Sequence, residues 1–452
     1  MMENYIPPVY DVLVEGCTLI PSAFTPPVPN AAIGITNGRF VFVGRQEDLP
    51  KGASAKQRLR VSGHLALPGL VNVHTHTILS MVRGVAEDMG FAPAYTPGVP
   101  QGHMVTEDEA VALARLGALE AMLFGSTLIN DTYVHTQLTL PAMAELGLRV
   151  FSCNRIHDVD FSGVSQGKWA YDKAIGEKTL AEAEALVQRF HGQAHARTGV
   201  QLAAHAPDTC STPFLKTIGA ASRRLGIPVQ THLAQSKVEV ARIRERDGKT
   251  PAELLDEVGL LDDRLVAAHC IHLTAEDITR IGRAGVKLAH IPKGNATGGT
   301  IAPTRALVDA GAKLTIATDN MHADMVEVMR WALAMGRVQR GLVEDSWQPE
   351  HILYAATEGG ADAMGLAGQI GAVSPGYRAD MVLLDLRRPH LVPHNDPLGT
   401  IMHTAHGRDV AHVIVEGEVV VRDGRPTRVD MEEICRKGAA AAEALWRRAQ
   451  GN

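Results

Sequence analysis

The chain has 452 residues, of which 45% are hydrophobic, and a formal charge of -6. That length exceeds one small domain, although a barrel can hold most of it. The negative balance and the lack of any lysine- or arginine-rich tract exclude a general attraction to nucleic acid or an anionic membrane, and no apolar run is long enough to span a bilayer.

The opening stretch MMENYIPPVYDVLVEGCTLI carries acidic residues and prolines, so it does not read as a signal peptide. Positions 9–65 read as short strands with turns, and Asn37-Gly38 is a hairpin signal. The middle alternates short apolar runs with helical patterns, the β/α signature. Eight strands are predicted there, at 70–76, 126–133, 149–156, 199–207, 227–235, 265–270, 286–292 and 313–320. Thr106-x-x-Glu109 forms a capping box that opens a helix toward Phe124, with Gly125 to end it. Ser211-Thr212-Pro213 starts another helix, which Gly226 can close. Strand character returns at 379–386 and 410–424, with turns at Glu416-Gly417 and Asp423-Gly424, and Met431 to Gln450 reads as a helix.

Eight β/α units with polar residues at the strand C-termini predict an α/β fold, a TIM (β/α)8 barrel with its active site at that face. The two β-rich ends predict one small β-sandwich built from both termini. The expected boundaries are 1–66 and 369–428 for the sandwich, 67–368 for the barrel, and 429–452 for a terminal helix. Five cysteines (Cys17, Cys153, Cys210, Cys270, Cys435) are scattered, with no C-x-x-C. They point to reduced thiols and a cytoplasmic location.

The first barrel strand ends in His74-x-His76. Residues i and i+2 of a strand project the same way, so both imidazoles leave the strand end together. Neutral imidazoles share a divalent cation well. An isolated H-x-H is more simply a strand cap and a packed side chain. Here, however, His232, His269 and Asp319 end strands five, six and eight. Four histidines and an aspartate converging on one mouth would be costly without a cation.

These residues carry a family resemblance. The order H-x-H, His, His, Asp over strands one, five, six and eight resembles the amidohydrolase superfamily, and more closely its cytosine deaminase-like and chlorohydrolase-like branch. LPGLVNVHTH resembles that branch's first-strand motif, and HAPDTCSTPFL (205–215) its strand-four motif. ATEGGADAMGL and IGAVSPGYRADMVLLDL, within 356–386, resemble the return to the sandwich. HGRDVAHVIVEGEVVVRDGR resembles the closing strands.

The resemblance implies one divalent metal, zinc foremost, with iron, cobalt or manganese as alternatives. His74, His76, His232 and Asp319 would hold it, and His269 would contact the attacking water or the substrate. Binuclear relatives carry a lysine on strand four; this chain offers His205 there instead, which favours one metal. The resemblance also implies a small-molecule substrate and assembly into homo-oligomers.

One position departs from the pattern. The branch typically has His-x-x-Glu on strand five, and its glutamate moves a proton from water to substrate. This chain has HLAQ, with Gln235 in that place. An amide cannot shuttle a proton by titrating, and such groups typically contribute about 10²–10⁴ in rate. Either another group carries the proton (His269, His322, Asp324 and Asp208 are candidates), or the leaving group needs little protonation, or catalysis is lost. The favoured reaction is hydrolytic removal of an amino or substituted-amino group from a nitrogen heterocycle. The alternatives are hydrolysis of a C–Cl, C–S, thiocarbamate or urea-type bond, or a silent metal-binding relative.

Further candidates for substrate contact are His205, His290, His322 and Arg83, together with Phe91 and Tyr95 in the Pro- and Gly-rich segment 85–104, the expected lid. Each also has a plainer role open to it: loop hydrogen bonds for the histidines, an ion pair with Glu87 or Asp88 for Arg83, and packing under the loop for the aromatics.

Overall fold

The computed structural model describes residues 7–89, 92–193 and 197–451. Eight parallel barrel strands follow one another in chain order: Leu70–Thr75, Ser126–Tyr133, Arg149–Ile156, Leu202–Ala204, Val229–Leu233, Val266–His269, Lys287–His290 and Lys313–Ile316. The first three are buried along their whole length, as expected for strands covered on both faces. The ring closes between the last and the first at their C-terminal ends. There the Asp319 N–H donates to the His74 carbonyl (3.1 Å), and the His76 N–H donates to the Asp319 carbonyl (3.1 Å). The barrel is therefore sewn shut by the residues expected to form the site.

Several strands stop earlier than the sequence suggests. Strand four is split, because Thr198–Gly199 pairs with strand three apart from Leu202–Ala204. Strands five and six end where the backbone turns left-handed, at Ala234 (φ 49°), His269 (φ 71°) and Cys270 (φ 53°), whereas strand eight ends at Ile316, and Asp319, three residues on, is also left-handed (φ 64°). Non-glycine residues in this region are strained, and such strain concentrates at functional sites. The turns redirect the chain at His269 and at Asp319, and Asp319 still pairs with the first strand. Strand seven stops at His290 because Pro292 opens a helix, Pro292–Thr297.

The capping box forms as read. Thr106 accepts from the Glu109 N–H at the start of helix Glu107–Leu123, and Glu109 reaches back to the Thr106 N–H. Glu109 also pairs with Arg448 of the last helix, Met431–Ala449 (2.6 and 2.7 Å). Trp446 of that helix donates to the Met81 carbonyl at 2.7 Å, just beyond H-x-H. Gly226 closes helix Thr212–Leu225 in a left-handed conformation (φ 69°).

The two ends of the chain together build the expected β-domain, a nine-stranded mixed sheet with a hydrophobic core of its own. Five strands come from the N-terminal part, Val9–Leu19, Val28–Thr36, Arg39–Arg45, Ser54–Arg60 and His64–Pro68. Four come from the C-terminal part, Met381–Asp385, Val410–Val415, Glu418–Arg422 and Arg425–Pro426. His64–Pro68 joins the halves, parallel to Val9–Leu19 and antiparallel to Met381–Asp385. Asn37-Gly38, Glu416-Gly417 and Asp423-Gly424 all have positive φ at both positions, as two-residue turns of the primed type require.

Arg149, the first residue of barrel strand three, is fully buried and ties the barrel floor to this sheet. Its guanidinium donates to both oxygens of Asp380 (3.1 Å) and to Glu416 (2.5 Å), and Glu416 also pairs with Arg378.

Candidate metal centre and active site

Each histidine at the barrel mouth is held by one ring nitrogen and points the other inward. His74 Nδ1 bonds Gln230 Oε1 (3.1 Å), and His76 Nδ1 bonds the Thr132 carbonyl. His232 Nδ1 bonds the His205 carbonyl (2.6 Å), and His269 Nδ1 bonds Asn295 Oδ1 (3.0 Å). These acceptors fix the tautomer, so Nε2 of each ring carries a lone pair toward the barrel axis. His76 Nε2 and His232 Nε2 then face each other at 3.2 Å. Asp319 Oδ1 stands 3.5 Å from His76 Nε2 and 3.8 Å from His74 Nε2, and Asp319 Oδ2 stands 4.0 Å from His269 Nε2.

This arrangement fits a divalent cation. Two acceptor nitrogens 3.2 Å apart repel unless a positive charge lies between them, and two ligands of one tetrahedral zinc sit roughly 3.4 Å apart. His74 Nε2 is buried and has no hydrogen-bond partner among the described residues. Nitrogens and oxygens of His74, His76 and His232, and of His74, His269 and Asp319, fall within 4.8 Å of one another. Burial lowers all four histidines first of all; neighbouring imidazoles lower His74, His76 and His269 further, and the Arg155 cation lowers His232, which falls to about 4 while His269 falls to about 3. All four are neutral at pH 7, the form that binds metal. Burial pushes Asp319 up to about 7, a cost that a cation beside it would remove.

Beside this cluster lies a cavity lined by His76, His205, His232, Gln235, His269 and Asp319, with Ala92–Tyr95 across its outer side. His205, Tyr95 and Gln235 therefore join the five converging residues. Arg83 and His322 do not; they line a neighbouring cavity on the other side of Asp319, with Lys293 and Glu87. Arg83 pairs with Glu120, instead of the expected Glu87 or Asp88. His290 is buried against Thr304 (3.2 Å) and does not line the metal-side cavity. Phe91 lies outside the described residues. Among the suggested proton carriers, Asp324 caps helix Met325–Arg340 and also accepts from the Gly407 N–H. Asp208 sits behind Tyr95, whose hydroxyl it accepts.

Three residues of the site escaped the sequence reading. Gln230 orients His74 and is itself held by Thr132 (2.8 Å). Asn295 orients His269. Arg155, at the end of barrel strand three, lines the cavity at 8% exposure, with its guanidinium 4.6 Å from the Tyr133 ring and 4.5 Å from that of Phe161. No carboxylate pairs with it among the described residues, and its Nε has no hydrogen-bond partner. The available signal was weak: a polar side chain two residues before His232, and a basic one near the C-terminal end of the strand RVFSCNRI.

A parallel barrel closed over a histidine–aspartate cluster is an architecture suited to metal-dependent hydrolysis. The model of the Amidohydrolase family matches residues 65–420, and the chain belongs to that family. It is 32% identical over 432 residues to a 5-methylthioadenosine/S-adenosylhomocysteine deaminase of Moorella thermoacetica, covering 94% of this chain and 97% of that one. An adenosine deaminase from Xanthomonas campestris with bound zinc superposes with a TM-score of 0.87 at 24% identity, over 99% of this chain and 100% of that one. Atrazine chlorohydrolase TrzN from Arthrobacter aurescens TC1, complexed with zinc, superposes at 0.81 with 21% identity, over 95% and 100%. At those identities the two structures establish the shared fold alone.

Proposed function

We propose that the chain hydrolytically removes an amino or substituted-amino group from a nitrogen heterocycle, with purine nucleosides the leading substrate class. One divalent metal, zinc foremost, would be held by His74, His76, His232 and Asp319. The observation that carries this is the pair of inward nitrogens on His76 and His232, 3.2 Å apart beside the Asp319 carboxylate. The deaminase name of the Moorella relative supports the choice of C–N bond and ring.

Held by His74, His76, His232 and Asp319, a divalent cation would supply Lewis-acid activation of water, making hydroxide available near neutral pH. Asp319 takes the proton from the attacking water. His269, neutral and fixed by Asn295, holds that water or polarises the ring nitrogen beside the attacked carbon. His205 bonds Thr209 through Nδ1 (2.8 Å) and presents its other nitrogen to the substrate. Arg155 donates to an acceptor atom of the substrate, a ring nitrogen or a hydroxyl oxygen, since its guanidinium lines the cavity and has no carboxylate partner among the described residues. Replacing it in Arg155→Gln should raise KM roughly 10- to 100-fold, the usual worth of a hydrogen bond to a charged group. A steady-state KM within threefold of the wild-type value would remove Arg155 from this role.

Gln235 keeps a second reading open, in which the leaving group is chloride or a thiolate and needs no proton. Among the described residues only Asp319 brings a carboxylate to the cavity lining. Glu239, one turn beyond Gln235, spends both oxygens on the N–H groups of Ala234 and Gln235 (2.8 Å each).

Metal-loaded protein should be assayed for release of ammonia, amine, chloride and thiol from adenosine, 5-methylthioadenosine and chloro-, amino- and thio-substituted triazines. Ammonia or amine release is expected; bound metal with no product from any class would sink the reading. Gln235→Glu should then raise amine release by up to about 10², since a titrating group enters the proton path. A flat or falling rate would favour the second reading.

A further inference from the structure

Asp208 is fully buried on the turn that follows barrel strand four. That turn is fastened from several sides. Tyr171 donates its hydroxyl to the Asp208 carbonyl (2.7 Å), and Arg246 donates to the carbonyls of Pro207 and Cys210 (3.0 Å each). The Asp208 carboxylate faces Tyr95, with Oδ1 at 3.0 Å and Oδ2 at 3.1 Å from the phenol oxygen. Tyr95 in turn lines the metal-side cavity, across from Gln235 and His205.

A phenol has one hydrogen and two acceptor lone pairs. Burial raises Asp208 to about 6, while burial and the charge of Asp208 raise Glu239 well above the usual carboxylate range. The Tyr95 hydroxyl donates its one hydrogen to the Asp208 carboxylate, both of whose oxygens lie within reach of it. What remains for the cavity is the phenol oxygen as an acceptor. Burial also drives Tyr95 itself well above its ordinary value, so it stays an undissociated phenol.

We propose that Asp208, acting through Tyr95, turns the outer wall of the cavity into a fixed hydrogen-bond acceptor that selects substrates carrying an N–H or O–H at that point. Tyr95 is the specificity-determining residue and Asp208 the positioning residue. The proposal rests on the reading of the cavity as a heterocycle site. Gln235 completes the wall: its side-chain amide makes no hydrogen bond to any described residue, and its backbone is held by Glu239.

The test is calorimetric binding of adenosine and four analogues, each lacking one donor: 2′-deoxy-, 3′-deoxy- and 5′-deoxyadenosine, and purine riboside, which lacks the amino group. Wild type, Tyr95→Phe, Asp208→Asn and the double variant are compared. Tyr95→Phe should weaken adenosine binding about tenfold, the scale of one desolvated hydrogen bond. One analogue should bind wild type and Tyr95→Phe equally, because it lacks the donor that Tyr95 accepts. Asp208→Asn should weaken adenosine about as much, and the double variant should be no worse than Tyr95→Phe. Equal losses for every analogue, or additive losses in the double variant, would overturn the proposal. Binding needs no turnover, so a protein that binds with this pattern yet releases no ammonia would refute the proposed reaction and leave this inference standing.

Discussion

His232→Ala should empty the metal centre. Metal analysis is expected to fall from about one divalent ion per chain to well under a tenth, and turnover to drop by at least about 10³, because the attacking water loses its activation. The fold should survive, since His232 lies near the end of its strand and, among the described residues, its loss removes only the side-chain contacts to the His205 carbonyl and to His76 Nε2. Circular dichroism and gel filtration would therefore look native. Asp319→Ala should lose the metal as well. It should also cost stability where His232→Ala does not, because Asp319 adopts φ 64° and its backbone closes the barrel against His74 and His76. Full metal occupancy and full activity in His232→Ala would contradict the whole account of the centre.

Arg149→Met should be the most destabilising single change away from the mouth. It leaves Asp380 buried without its cation, and breaking a buried pair from one side costs about 3–5 kcal/mol. Glu416 keeps Arg378, so the loss falls mainly on Asp380. Urea melts should place the variant at least 3 kcal/mol below wild type. Arg149→Met with Asp380→Leu should recover part of the loss, because two apolar side chains of similar volume need no pairing. A loss below about 1 kcal/mol in the single variant would mean that the network holds nothing together.

The residues that move with strand period were the legible ones. The apolar runs ending in His74, His76, His232 and His269 located barrel strands and site together, since a barrel strand can end in a polar side chain only at its mouth. Strand lengths were less legible. Left-handed turns at Ala234, His269 and Asp319 are paid for by tertiary hydrogen bonds, and no local propensity announces them. Arg155 was missed because an arginine after an apolar run normally reads as paired; that it lacks a carboxylate depends on what other strands bring near. Arg83 and His322 were read as candidates for substrate contact, but which cavity a loop residue lines is set by packing beyond the reach of a motif. Asp208 was read as a free proton carrier, whereas the fold puts the Tyr95 ring between it and the cavity.

Met381 pairs with Pro68 across more than 300 intervening residues. While the nascent chain is still on the ribosome, the strand His64–Pro68 has therefore lost one neighbour in advance. Its open edge waits until nearly all of the polypeptide has been made, and such an edge is a template for wrong pairing. Synthesis of this protein in a cell should accordingly depend on holding chaperones more than its finished stability would suggest, and a ribosome stalled near codon 380 should yield aggregates rather than a smaller working barrel.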